Sequence, residues 1–146
     1  MEKKDLLKDV IKHIDIKSYN STELVDAMRN MSFTSRDTAR AADILMMMCK
    51  EKECTNILTL AGSTSAAGCM QVYVDMVRNK MIDVVVATGA SIIDMDLFEA
   101  LGYKHYIGEK ENVIPDTTLR DLYIDRIYDT YIDEEELQAC DHSTYE

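Results

Sequence analysis

Two short apolar segments, "CTNILTL" (54–60) and "MIDVVVAT" (81–88), each run into a turn of small residues. The turns are "AGSTSAAG" (61–68) and "TGAS" (88–91). Between them, Met70, Tyr73, Val74 and Val77 recur at helical spacing, and "DMDLFEALG" resumes a helical pattern up to Gly102, a suitable C-cap. Ile82 and Val84–Val86 form the clearest strand, and its unbroken apolar run predicts burial on both faces. The order is therefore strand, turn, helix, strand, turn, helix. Two buried strands joined by a helix imply a right-handed parallel βαβ unit, so the expected fold class is α/β.

The flanking segments are simpler. "NSTELVDAMRNM" places Asn20 three residues before Glu23, a capping-box spacing, with Leu24, Met28 and Met31 on one face. "TSRDTARAADILMMMCKEK" predicts a second helix capped by Thr34 or Ser35, with Ala41, Leu45 and Met48 as its buried stripe. Its methionines fit plastic core filling better than a binding surface. Residues 107–118 are expected as a loop. A strand is expected around Ile127–Ile132, with Asp133 capping an acidic last helix whose pattern continues to Glu146. Residues 1–146 read as one α/β segment: a helical part over about 1–52, a βαβ part over about 53–106 and an acidic part over about 107–146. With so few parallel strands, the expectation is the N-terminal half of something larger, or a subunit that needs a partner.

Charge narrows the partners. Residues 1–93 carry 12 acidic and 12 basic side chains, whereas residues 94–146 carry 15 acidic and 4 basic ones. Nucleic acid is disfavoured as a partner, because phosphate binding needs a positive surface. A cationic small molecule or a basic protein is favoured, although solubility alone also explains an acidic face. No apolar run is long enough to span a bilayer and the N-terminus has no signal-peptide core, so a cytoplasmic location without membrane contact is expected. Cys49, Cys54, Cys69 and Cys140 lack metal-ligand spacing, so no metal site is expected and the thiols read as buried and structural.

In parallel α/β sheets, ligands gather beyond the carboxyl ends of the strands. Both small-residue turns leave such ends and should share one edge, where backbone N–H groups can approach a phosphate. Ser63, Thr64, Ser65 and Thr88 add hydroxyls. Neither turn is a strict dinucleotide or P-loop motif, and small residues also permit close helix–strand packing. Asp94 and Asp96, just past the second turn, can meet a ribose hydroxyl or an amine, or simply favour the helix dipole. His105 has no readable triad partner, and nothing marks Lys80 or Lys104 as a desolvated nucleophile. Asp133–Glu136 reads as a solvated helix start, and Tyr123, Tyr128 and Tyr131 as packing residues.

Four segments in register, "CTNILTLAGSTSAAG", "MVRNKMIDVVVATGAS", "FEALGYKHYIG" and "YIDRIYDTYIDEEEL", resemble the N-terminal half of deoxyhypusine synthases, most closely their archaeal and bacterial branch. The resemblance runs from about Phe33 to the end of the chain. It implies a Rossmann-like parallel sheet flanked by helices, NAD as cofactor, and a tetramer with sites between paired subunits. Enzymes of this family oxidise spermidine with NAD, hold its aminobutyl group as an imine on an enzyme lysine, and pass it to a lysine of translation initiation factor 5A. Bacterial relatives include enzymes that serve other amines, such as homospermidine formers.

Carried over by position, Gly62, Ser63, Thr64, Ser65 and Ala66 of the first turn, and Thr88, Gly89 and Ala90 of the second, are the expected NAD contacts. The family's acidic pair falls on Ile93 and Asp94, so Asp94 is expected to serve both cofactor and polyamine, with Asp96 standing in for the lost acid. The imine-forming lysine has no counterpart here, so no catalytic residue is assigned to this chain. The expectation is thus part of an NAD-dependent aminobutyl transferase. The alternative is a non-catalytic regulatory or structural subunit of a full-length relative, and a generic nucleotide-binding module is a third reading.

Overall fold

The computed structural model describes residues 1–108 and 114–143. In chain order, the elements begin with α1 (Lys3–Leu6), a 3-10 turn (Ile16–Ser18), α2 (Thr22–Met28), α3 (Phe33–Lys50) and β1 (Ile57–Leu60). A π-helical turn (Ser65–Cys69) then leads into α4 (Met70–Arg78), followed by β2 (Val84–Ala87) and α5 (Gly89–Ser91). A second π-helical turn (Ile92–Leu97), α6 (Phe98–Ala100), β3 (His105–Ile107), α7 (Asp116–Asp121), β4 (Ile124–Ile127), β5 (Thr130–Asp133) and α8 (Glu134–Ser143) complete the described chain. β1 and β2 form a parallel two-stranded sheet, and β3, β5 and β4 form an antiparallel sheet in that order. The α/β class holds, with its parallel part reduced to one βαβ unit.

The chain divides into two compact units: residues 1–14, 59–71 and 87–146, and residues 15–58 and 72–86. In the second unit α2 packs on α3. Ser21 rather than Asn20 occupies the cap of α2, but the Asn20 side chain still accepts from Thr22 N at 3.0 Å. The inward residues of α2 are Val25 and Met28, not Leu24 or Met31. α3 starts at Phe33 behind Ser32, two residues before the expected cap Thr34 and three before Ser35. Ala39 is its buried residue, Leu45 and Met48 are half-buried, and Ala41 is exposed.

A side-chain latch sets the parallel pair at its start. Asp83 accepts from Asn56 N at 2.8 Å, Asn56 O accepts from Asp83 N and Val84 N, and the Asn56 amide donates to Met81 O at 3.0 Å. Asn56 is buried with every one of these bonds made, so its burial carries little desolvation penalty. The expected burial of Val84–Val86 on both faces is not found: they are 42%, 41% and 55% exposed. β2 has a single hydrogen-bonded neighbour, and double-sided burial requires the wider, helix-covered sheet that such runs normally sit in.

The other unit is organised around β5. The expected single strand over Ile127–Ile132 is instead a hairpin, β4 and β5, turning at Tyr128 and Asp129. Alternation along β5 sends Tyr131 into a core with Leu6, Ile114, Leu119 and Ile124 on one face, and Ile132 into a core with Phe98 and Cys140 on the other. The hairpin tip is fixed from outside: Gly108 N donates to Asp129 O at 2.7 Å, and a Cβ on Gly108 would lie 2.9 Å from the Tyr131 ring. The expected loop 107–118 is therefore shorter, since Ile107 closes β3 and Asp116 opens α7; residues 109–113 lie outside the described residues. Asp133 does cap α8, accepting from Glu135 N at 2.9 Å and Glu136 N at 3.3 Å. Tyr131 packs as expected, but Tyr123 and Tyr128 are exposed. Of the four cysteines only Cys140 is buried, because the others lie on segments outside the two cores.

Glu99 links the N-terminal segment to this unit. Its carboxylate is nearly buried and accepts from His105 Nδ1 at 2.6 Å and from His13 Nε2. Burial pushes the Glu99 carboxyl up, but the two histidine hydrogen bonds outweigh it, leaving it below the ordinary 4.5. A depressed carboxyl contributes stability that is complete above its unfolded-state value and is lost as pH falls through the folded one. Denaturant unfolding should therefore show wild type losing stability below about pH 4.5 by more than E99Q does. Parallel pH profiles of the two proteins would contradict this account of the cluster.

Candidate functional site

The two small-residue turns meet. Ser91 Oγ, on the second turn, donates to Gly62 O on the first at 2.9 Å. Thr88 Oγ1 lies 3.2 Å from Ser91 Oγ. Since Ser91 gives its one proton to the carbonyl, Thr88 is the donor in that contact. Thr88 N also donates to Leu60 O at 3.2 Å, so the second turn starts from the end of β1. Ser91 itself is buried. The sequence reading stopped at Ala90 and passed over this residue, although it stands in the quoted "TGAS".

Local backbone explains why small residues occupy the first turn. Gly62 has φ +79°, a left-handed conformation that side chains resist. Gly68 has φ +90°, and a Cβ there would meet Lys12 O at 3.0 Å. The helix opens with a π-type bond, Cys69 N to Thr64 O at 3.1 Å, which widens the turn. A Cβ on Gly62 or on Gly89 would meet nothing within 4 Å, so open space lies in front of both turns. The first N–H groups of a helical turn have no partner within the helix.

Buried side-chain polar atoms without a hydrogen bond occur in several parts of the structure, at His13, His105 and Glu136 as well as at the turns. Among the described residues they include Thr64 Oγ1, Ser65 Oγ and Asp96 Oδ1. Such atoms cost free energy unless something satisfies them, and Thr64 and Ser65 place two of them on the first turn. Asp94 and Asp96 lie on the π-helical turn Ile92–Leu97, which packs against Ser65–Cys69. Asp94 is half-buried, and burial followed by the charge of Asp141 pushes its carboxyl above the ordinary 3.8. Cys140 Sγ donates to Ile93 O at 3.8 Å and ties α8 to this turn. Burial and the neighbouring Asp141 and Asp94 charges push its thiol up, which suits a packing role and not a nucleophilic one.

A cavity of about 630 Å³ opens beside the first turn, lined by Gly62, Ser63, Thr64 and Ala66 on one side and by Arg126 and Tyr128 of the hairpin on the other. The hairpin wall is a second feature missed by the sequence reading. Its available signal was Arg126, one of four basic residues in an otherwise acidic stretch. His105, by contrast, is committed to Glu99 and packs its ring 5.2 Å from that of Phe98, inside the core. No metal-ligating group of three or more side chains occurs among the described residues. No described helix is long and apolar enough to cross a membrane.

Removing the Ser91 hydroxyl unties the turns and leaves Gly62 O short of a partner. S91A should lose about 1–2 kcal/mol of stability by denaturant unfolding, while S91C or S91T should fall between it and wild type. An S91A protein as stable as wild type would mean that the contact carries no load.

Comparison with known proteins identifies the family. The deoxyhypusine synthase family model matches residues 23–146, which include both turns and the hairpin. A deoxyhypusine synthase-like protein of Caulobacter vibrioides is 63% identical over 145 residues, covering 99% of this chain and 39% of that protein. One from Coxiella burnetii is 58% identical, covering 99% of this chain and 40% of its own. A probable deoxyhypusine synthase 2 of Methanosarcina acetivorans is 37% identical over 88% of this chain and 36% of its own. The chain thus spans about two-fifths of the length of these relatives. With the family model covering most of its length, the chain belongs to the deoxyhypusine synthase family.

Proposed function

We propose that this chain forms the NAD- and polyamine-facing part of an NAD-dependent aminobutyl transferase of the deoxyhypusine synthase type. The observation that carries the reading is the junction of the two turns by Ser91 and Gly62, with unsatisfied Thr64, Ser65 and Asp96 atoms around it. Gly62, Ser63, Thr64, Ser65 and Ala66, with Thr88, Gly89 and Ala90, are assigned to NAD. Their N–H groups and hydroxyls are the donor set that a pyrophosphate and ribose require. NAD supplies a hydride acceptor when bound.

Asp94 and Asp96 are assigned to the amine. A polyamine carries several positive charges, and a half-buried carboxylate attracts one more strongly than an exposed one does. Asp94 is also assigned to the cofactor, as the position of the family's acidic pair implies. The imine-forming lysine, in this reading, comes from polypeptide outside these 146 residues. The group's destination is a lysine of translation initiation factor 5A or, in the homospermidine manner, another amine. The assembled form is an oligomer, a tetramer on family grounds, acting in the cytoplasm.

Calorimetric titration tests both halves. NAD should bind the protein, and T64V should weaken it by about tenfold, the loss of roughly one hydrogen bond to a charged group. Spermidine should bind less tightly to D94N and D96N, with the difference shrinking in high salt. Only ionised Asp94 attracts an ammonium group, and its carboxyl titrates above 3.8. Wild-type affinity for spermidine should therefore fall on acidification at a higher pH than an ordinary aspartate allows, and D94N should lack that step. Wild-type protein that binds neither NAD nor spermidine would rule the reading out.

A further inference from the structure

Phe33, Tyr123 and Tyr128 each combine a left-handed backbone with an exposed ring, and of the three Tyr128 lines the cavity beside the first turn. Tyr128 lies at the tip of the β4–β5 hairpin, is 92% exposed, and holds φ at +55°. A tyrosine in the left-handed region is strained where glycine would not be. An aromatic ring left in water gives nothing back to folding in exchange. Strain combined with full exposure at one residue is characteristic of positions kept for contact with something else.

The surroundings specify that contact. Tyr128 shares the cavity beside the first turn with Gly62, Ser63, Thr64 and Ala66. At about 630 Å³ the cavity is in the range that holds a nucleotide-sized ligand. Arg126 lines the same wall two residues back along β4, held at 2.5 Å from Asp116 through Nη2. Thr64 Oγ1, on the opposite wall, is buried without a hydrogen-bond partner. The tip cannot swing away freely, because Gly108 N holds Asp129 O and the following Tyr131 is buried in the core.

We infer that the hairpin tip is the outer wall of the nucleotide site, with the Tyr128 ring stacking on an aromatic base of the ligand. This rests on the assignment of the first turn to NAD. A flat ring across a cavity from a turn of small residues suits a ligand with an aromatic base at one end and a phosphate at the other. Stacking tolerates either base, so adenine and nicotinamide share the required chemistry.

The test compares NAD affinity and thermal stability in wild type, Y128F and Y128G. Glycine relieves the backbone strain, so Y128G should melt a few degrees higher, yet it should bind NAD about tenfold more weakly for loss of the stack. Y128F keeps the ring and should bind like wild type. AMP and nicotinamide mononucleotide, titrated separately, should reveal the stacked base as the one whose affinity falls in Y128G. A Y128G protein that is stabilised and binds NAD as tightly as wild type overturns the inference while leaving the proposed function intact. Wild type that binds no NAD overturns both.

Discussion

The hydrogen bond from Ser91 Oγ to Gly62 O is the contact on which the candidate site depends. Each turn alone is a small-residue break after a strand, a feature that many α/β proteins carry for packing alone. Joined, they set two stretches of backbone side by side, with open space in front of Gly62 and Gly89. The bond comes from a buried serine and is extended by Thr88, so the two turns are tied to each other without a ligand. Preorganisation of this kind matters because a charged ligand gains most from dipoles that need not reorganise to meet it.

The antiparallel sheet gives this arrangement its support. β5 is buried on both faces, with Tyr131 in one cluster and Ile132 in the other, and it carries β3 and β4 at its edges. Phe98, in the second cluster, follows directly on the π-helical turn that bears Asp94 and Asp96. Glu99, next along, is gripped by His13 and His105. The acidic turn is thus anchored immediately downstream of the residues proposed to meet the amine. The acidic excess of residues 94–146 is only partly a solvated face: Asp133 and Glu135 pair with Lys3, and Asp116 with Arg126.

The parallel unit and both turns were legible in the sequence because glycine, alanine and serine after an apolar β-branched run leave few alternatives. The cap at Asp133 was legible for the same local reason. The hairpin was not, because its turn uses Tyr128 at positive φ with no glycine or asparagine to mark it. Without that mark, "YIDRIYDTYID" reads as one strand. The burial of Val84–Val86 was misjudged because an apolar run reports what a strand prefers, whereas exposure depends on neighbours that these 146 residues do not place against it. The Glu99 cluster joins residues 86 positions apart, and no local pattern connects His13 to the segment it holds. Position-by-position resemblance carried the site assignments to Ala90 and then to Asp94 and Asp96, passing over Ser91, the residue that joins the turns.

The most direct test of the central claim is a crystal structure of the protein with NAD. The account predicts the pyrophosphate against the N–H groups of Gly62–Ala66, with Thr88, Gly89 and Ala90 on its other side and the Ser91–Gly62 contact intact. NAD bound elsewhere, or turns that separate when it binds, would contradict the claim that these two joined turns are a preformed nucleotide cradle.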